Sequence, residues 1–116
     1  MGRNEMTVHI GGREFDGPVQ IDEWNPPRKV AVYAIMMRQD PIRRPDSYLP
    51  LYFGQSENLS ERGFLRSHHK FGCWIKEAGS TKNLFIAVHS MPHSAEAERR
   101  RFESQLISKY HPVCND

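Results

Sequence analysis

The chain of 116 residues is short of several things, and each shortage excludes something. No apolar run approaches the ~20 residues a membrane-spanning helix needs. The first dozen residues, MGRNEMTVHIGG, contain neither an apolar core nor a small-residue cleavage site, so no secretory leader is read there. There are only two cysteines, Cys73 and Cys114. They are far apart and in no CxxC, and the expectation is two reduced thiols in a cytoplasmic protein. Together with His68, His69 or His111 they could be drawn as a zinc set, but the spacing fits no zinc pattern. Charge of one sign is also scarce: the formal net charge is +2, which permits nucleic-acid binding without demanding it.

What is present is enough for one globular domain, since 38% of the residues are hydrophobic. Residues 7–10 and 13–15 flank Gly11-Gly12 and read as a hairpin. Pro26-Pro27 marks a boundary, so 1–28 is read as an extension and 29–116 as the main domain. KVAVYAIMM at 29–37 is a run of β-formers and predicts a buried strand. Pro41, Pro45 and Pro50 predict a long loop over 38–50, with a second strand resuming at 51–53 and pairing antiparallel with the first. Asn58 with Glu61 three residues on resembles a capping box, predicting a helix to about Lys70 that ends near Gly72. A loop over 72–83 follows, with a short helical turn as an alternative within it, then a strand at 84–89. Ser94 is placed to cap a last helix over 95–110, which Pro112 stops.

Two charges fall on the wrong faces of these helices. At 100° per residue, Phe102, Leu106, Ile107 and Tyr110 form one apolar stripe on the last helix, and Glu103 lies inside it. On the first, Arg62 falls between Leu59 and Leu65, with Arg66 and His69 close by. A carboxylate and a guanidinium aimed at one interior are either a buried ion pair or an open site. In a site, the guanidinium suits a phosphate and the carboxylate a hard metal. The pattern alone does not choose. Arg99, four residues before Glu103, is a further candidate partner for it.

At this point the chain resembles the GIY-YIG nuclease family. The first motif stands as Ala31-Val32-Tyr33 and the second as Tyr52-Phe53-Gly54. Downstream, GQSENLSERGFLRSHH looks like the family's arginine helix, with Arg62 eight residues after Gly54. ERRRFESQLISKYHPVCN looks like its glutamate helix and terminal Pro-x-x-Asn, here Pro112 to Asn115. The likeness spans roughly 29–116. The chain departs from the pattern in Ala31, Val32 and Phe53, which keep strand character, and in the 19 positions that separate the tyrosines. Where many members carry His or Tyr, four residues after the helix arginine, this chain has Arg66.

The resemblance implies an α+β fold, a three-stranded antiparallel sheet flanked by helices, with the N-terminal hairpin added. It implies a DNA endonuclease using one divalent cation, Mg2+ or Mn2+, held by Glu103. Arg62 would stabilise the scissile phosphate, and Tyr33 would serve as general base or positioning group for water. Tyr52 would line the same face. Arg66, His69, Arg43 and Arg44 would contact substrate, and Asn115 would hold the C-terminal segment or support the metal site. DNA would be the partner, with no membrane, and target selection would need dimerisation, a partner protein or the loops. The competing readings are a nucleic-acid-binding module without catalysis on the same fold, and a structural partner that docks through 1–28.

Overall fold

The computed structural model describes residues 6–61 and 64–115. Its centre is one antiparallel sheet of five strands, ordered β1-β2-β5-β3-β4. β1 (Thr7–Ile10) and β2 (Arg13–Gln20) form the expected hairpin around Gly11-Gly12. β2 then pairs with β5 (Leu84–Ser90), so the hairpin extends the main sheet and raises the strand count from the expected three to five. β5 pairs in turn with β3 (Ala31–Asp40), and β3 with the edge strand β4 (Arg44–Ser56).

Period-two alternation along β3 sends side chains to two separate cores. Tyr33 and Ile35 join Leu51, Ile86 and Trp74 on one face, while Val32 and Ala34 join Phe53, Phe102 and Leu106 on the other. Burial on both faces explains why β3 reads as a continuous apolar run rather than an alternating one. The helix α2 (Glu96–Tyr110) covers the second face through Phe102 and Leu106. Its first turn is capped by Glu98, which accepts a hydrogen bond from the Ala95 N–H (3.1 Å); Ser94 instead donates to Met91 O. At its other end the Tyr110 hydroxyl accepts from the Gly11 N–H, tying the helix to the hairpin turn.

Three sequence expectations are corrected here. Residues 38–50 are not a loop. β3 runs on to Asp40 and β4 starts at Arg44, so only a three-residue turn at 41–43 separates them. Pro41 opens that turn, and Pro45 and Pro50 sit on an edge strand, where a missing N–H is tolerated because one edge carries no ladder. The helix expected over 58–70 is instead a chain of turns among the described residues. Asn58 Oδ1 accepts from both the N–H and the hydroxyl of Ser60. Phe64, His68 and Phe71 each donate their N–H to the carbonyl three residues back. These local bonds compete with the helical ladder. The helix α1 comes later, at Phe71–Ala78, where a loop was expected. Phe71, Trp74, Ile75 and Ala78 give it a helical apolar face, and Gly79 ends it at φ 89, a left-handed conformation that suits glycine. Gly72, read as the stop, lies in its first turn.

The third correction concerns the thiols. Cys73 on α1 and Cys114 in the short 3-10 turn Val113–Asn115 form a disulfide. Their separation of 41 residues in sequence disguised neighbours in space: the chain after α2 folds back beside β4 and meets α1 there. Among the described residues no helix is long and apolar enough to cross a membrane.

Candidate active site

The register of the sheet places Tyr33 directly opposite Gly54, and Tyr52 opposite Ile35 two positions along. Tyr33 is almost wholly buried, and its ring leans across β4 over Gly54. A Cβ on Gly54 would lie 2.5 Å from Tyr33 Cζ and closer still to its hydroxyl. The glycine of the second motif is therefore the gap through which the tyrosine of the first reaches the edge of the sheet.

α2 packs over the opposite face, against β4 and β3. Its Glu103 is half-buried, and among the described residues its carboxylate meets no hydrogen-bond donor. Burial raises its pKa, and nearby Arg100 offsets this in part. The pairing with Arg99 does not occur. Arg99 is 2% exposed and donates to Gln55 Oε1 (2.8 Å), Ser94 O (2.7 Å) and Ser94 Oγ (3.1 Å), with Glu57 at 3.7 Å. Arg100 pairs with Glu96 one turn back. So Arg99 bolts α2 to β4, and Glu103 is left without a donor among the described residues, near enough to Tyr33 and Tyr52 to act on both electrostatically.

Electrostatics shows the convergence. The Tyr33 phenol is pushed far above its ordinary value, first by burial, then by Tyr52 and Glu103. The Tyr52 phenol is also raised, by burial and then by Glu103, with the Tyr33 hydroxyl pulling the other way. Three acidic groups thus share one neighbourhood, and the negative form of each disfavours the others.

A fourth group, missed by the sequence reading, completes the cluster. His68 Nε2 lies 3.2 Å from the Tyr33 hydroxyl. His68 Nδ1 accepts the Lys70 backbone N–H at 3.0 Å, so in the neutral ring the proton sits on Nε2. His68 therefore donates to Tyr33, whose own hydroxyl proton is left for Tyr52. Burial, with His69 and Lys70 nearby, lowers the His68 pKa to about 4, so the ring is neutral at pH 7. It packs on Tyr52 (5.0 Å between ring centroids) and on Trp74 (4.7 Å), while Phe64 meets Tyr33 edge-on (5.1 Å). The sequence carried the histidine, but the motif spacing pointed to position 66 instead.

The other expected site residues are placed as follows. Arg62 lies outside the described residues. Arg66 turns away to Asp22 in an ion pair of 2.5 Å and stacks on Phe71. His69 is exposed and stacks on His68 at 4.6 Å. Arg43 and Arg44 are exposed at the β3–β4 turn, at the far end of the strands. Asn115 makes its side-chain hydrogen bonds to the sheet backbone rather than to a tyrosine hydroxyl. It pairs with the backbone of Phe53, accepting from its N–H (2.8 Å) and donating to its carbonyl (2.9 Å), as a neighbouring strand would. That holds the strand between the two motif residues Tyr52 and Gly54.

No cluster of three or more His, Cys, Asp or Glu suited to a metal exists among the described residues. One carboxylate among phenols is nevertheless a donor set of hard oxygens, and it fits a cation that keeps most of its waters. A cavity of about 790 Å³ opens elsewhere, lined by Trp24, Lys29, Arg38, Tyr48 and Lys82 among others. None of Tyr33, Tyr52, His68 or Glu103 lines it.

Comparison with solved structures finds a likeness at the level of the fold. The chain is similar to the GIY-YIG N-terminal endonuclease domain of UvrC from Thermotoga maritima bound to its catalytic divalent cation, magnesium. The TM-score is 0.52 and the identity 23%, over 78% of this chain and 88% of that one. The chain has the GIY-YIG fold. Two variants of the same domain, both with the divalent cation bound, match similarly. One carries a single Asn→Ala change (TM-score 0.52, identity 22%) and the other a single Tyr→Phe change (0.51, 24%). In each case 78% of this chain and 87% of that chain are covered. No protein-family model matches the sequence, and no curated protein matches it. At this identity the likeness establishes the GIY-YIG fold and the order of its elements.

Proposed function

We propose that this protein is a metal-dependent endonuclease of the GIY-YIG family that hydrolyses DNA phosphodiester bonds. The observation carrying the reading is the meeting of Tyr33, Tyr52 and Glu103 at one sheet edge, across the gap at Gly54. A purely structural carboxylate would be paired, whereas Glu103 is left without a donor among the described residues, where a cation would supply the missing charge. The cation, Mg2+ or Mn2+, would polarise the phosphoryl group and stabilise the leaving 3′ oxygen.

The protein's own groups then divide the work. The resting Tyr33 phenol is protonated, so its first task is to orient the attacking water by hydrogen bonding. Taking up the water's proton requires positive charge beside it, the part assigned to Arg62, which would also bind the scissile phosphate. His68 fixes the direction of the Tyr33 hydroxyl by donating to it, and Tyr52 offers a second hydroxyl to water or phosphate. Asn115 and Arg99 act at a distance, holding β4 and α2 in register.

The test is nicking of supercoiled plasmid in magnesium. Wild type should produce open circles, and Glu103→Ala should lower the rate at least about a hundredfold. Equal background from the two proteins would refute the nuclease reading in favour of a non-catalytic nucleic-acid-binding module.

A further inference from the structure

The two strands that carry Tyr33 and Tyr52 continue well past the body of the sheet. β3 pairs with β5 only up to Met37, opposite Leu84. Beyond that, β3 and β4 pair only with each other, through Arg38 opposite Tyr48 and Asp40 opposite Arg44. The result is a free two-stranded ribbon closed by a turn at 41–43. The turn is ordered, because Asp40 Oδ1 accepts the Arg43 N–H at 3.1 Å. Pro41 opens the turn and Pro45 lies just beyond it on β4, and both restrict the backbone.

The tip carries an unusual side chain. Ile42 is 91% exposed, far above any other large hydrophobic residue described. Arg43 and Arg44 follow it, both exposed, and neither makes an ion pair with a described residue. At the root, the Arg38 guanidinium lies over the Phe85 ring at 4.7 Å, which stiffens the base of the ribbon. The tip thus sets one almost fully exposed apolar side chain beside two guanidinium groups that have no ion-pair partner among the described residues. It is well suited to a duplex groove, which offers phosphates on its walls and stacked bases at its floor.

Resting on the nuclease reading, we propose that the 38–48 ribbon is a groove probe. Ile42 wedges into a base step while Arg43 and Arg44 hold the flanking phosphates, so the enzyme selects duplexes that are distorted or easily kinked. Unstacking a step costs least where pairing is already damaged, which is how an apolar wedge discriminates by shape. Because the ribbon is continuous with the strands of the site, its tip stands at a set distance from the scissile phosphate. Eight residues separate Tyr52 from Arg44. At ~3.3 Å each that is roughly 26 Å, or about eight base pairs of duplex.

The experiment measures binding by fluorescence anisotropy in EDTA, where cleavage does not intervene. The probes are a paired 30-mer duplex and the same duplex with one central abasic site. Wild type should bind the abasic duplex about tenfold more tightly. Ile42→Ser, which alters only an exposed side chain and should leave the melting temperature unchanged, should bind both duplexes as wild type binds the paired one. Arg43→Ala with Arg44→Ala should weaken both and lower the salt slope by about two. An unchanged preference in Ile42→Ser, or none in wild type, overturns the probe. So does a wild-type dimer that Ile42→Ser turns into a monomer in sedimentation, which would make the tip a contact between copies. These results leave the nuclease reading standing wherever plasmid nicking is intact; loss of nicking in wild type defeats that reading instead.

Discussion

Gly54 shows how much a single missing atom can organise. Tyr33 occupies the volume a β-carbon would fill, so Gly54→Ala must displace either the phenol or β4. The overpacking should cost about 1–3 kcal/mol of stability. On the proposed reading the displaced ring is the one that orients the attacking water, so nicking should fall by about two orders of magnitude. Thermal melts beside rate measurements check both halves. His68 offers a second residue-scale prediction. Its proton is taken up near 6.5 when unfolded but only near pH 4 in the fold. Between those values the unfolded chain binds the extra proton, so this contribution is fully present above pH 6.5 and is lost as pH falls toward 4. Denaturation midpoints of wild type should therefore drop through that window more steeply than those of His68→Gln. At pH 7.5, His68→Ala should slow nicking about tenfold through loss of one oriented hydrogen bond.

At the scale of elements, the site depends on two fasteners outside it. The disulfide joins α1 to the C-terminal turn, and the adjacent Asn115 supplies β4 with a two-bond substitute for a neighbouring strand. Cys114→Ser should cost about 2–4 kcal/mol. Asn115→Ala should cost about 1–3 kcal/mol by stranding the Phe53 backbone groups. Urea titrations measure both, and wild type under reducing agent should match the cysteine variant. Elements whose patterns were self-sufficient were legible in the sequence. β3 announced itself as a run of β-formers, α2 as a stripe, and Glu103 as a charge inside that stripe. Elements decided by context were not. The prolines of 38–50 signalled a loop because nothing local reveals that β4 is an edge strand. Asn58 and Glu61 had the spacing of a helix start, yet Asn58 spends its oxygen on Ser60. His68 was hidden for the same reason: with turns in place of a helix, four-residue spacing no longer predicts which side chain faces the sheet. The disulfide was invisible because it depends on where α1 and the C-terminus end up.

For the molecule as a whole, the sheet does three jobs along one pair of strands. One end of β3 and β4 carries the tyrosines, the middle is buried between two cores, and the far end leaves the body as a ribbon. With a formal charge of only +2, long-range attraction to DNA would be weak, and on the proposed reading recognition falls to local features such as the ribbon tip. The central claim is that Glu103 and the two tyrosines surround the place where a cation and a phosphate meet. Anomalous scattering from crystals soaked in manganese tests it most directly. The account predicts one Mn2+ about 2.0–2.3 Å from a Glu103 carboxylate oxygen, on the side facing Tyr33 and Tyr52, and no such peak in Glu103→Gln crystals. A catalytically active crystal form whose manganese lies away from Glu103 would contradict it.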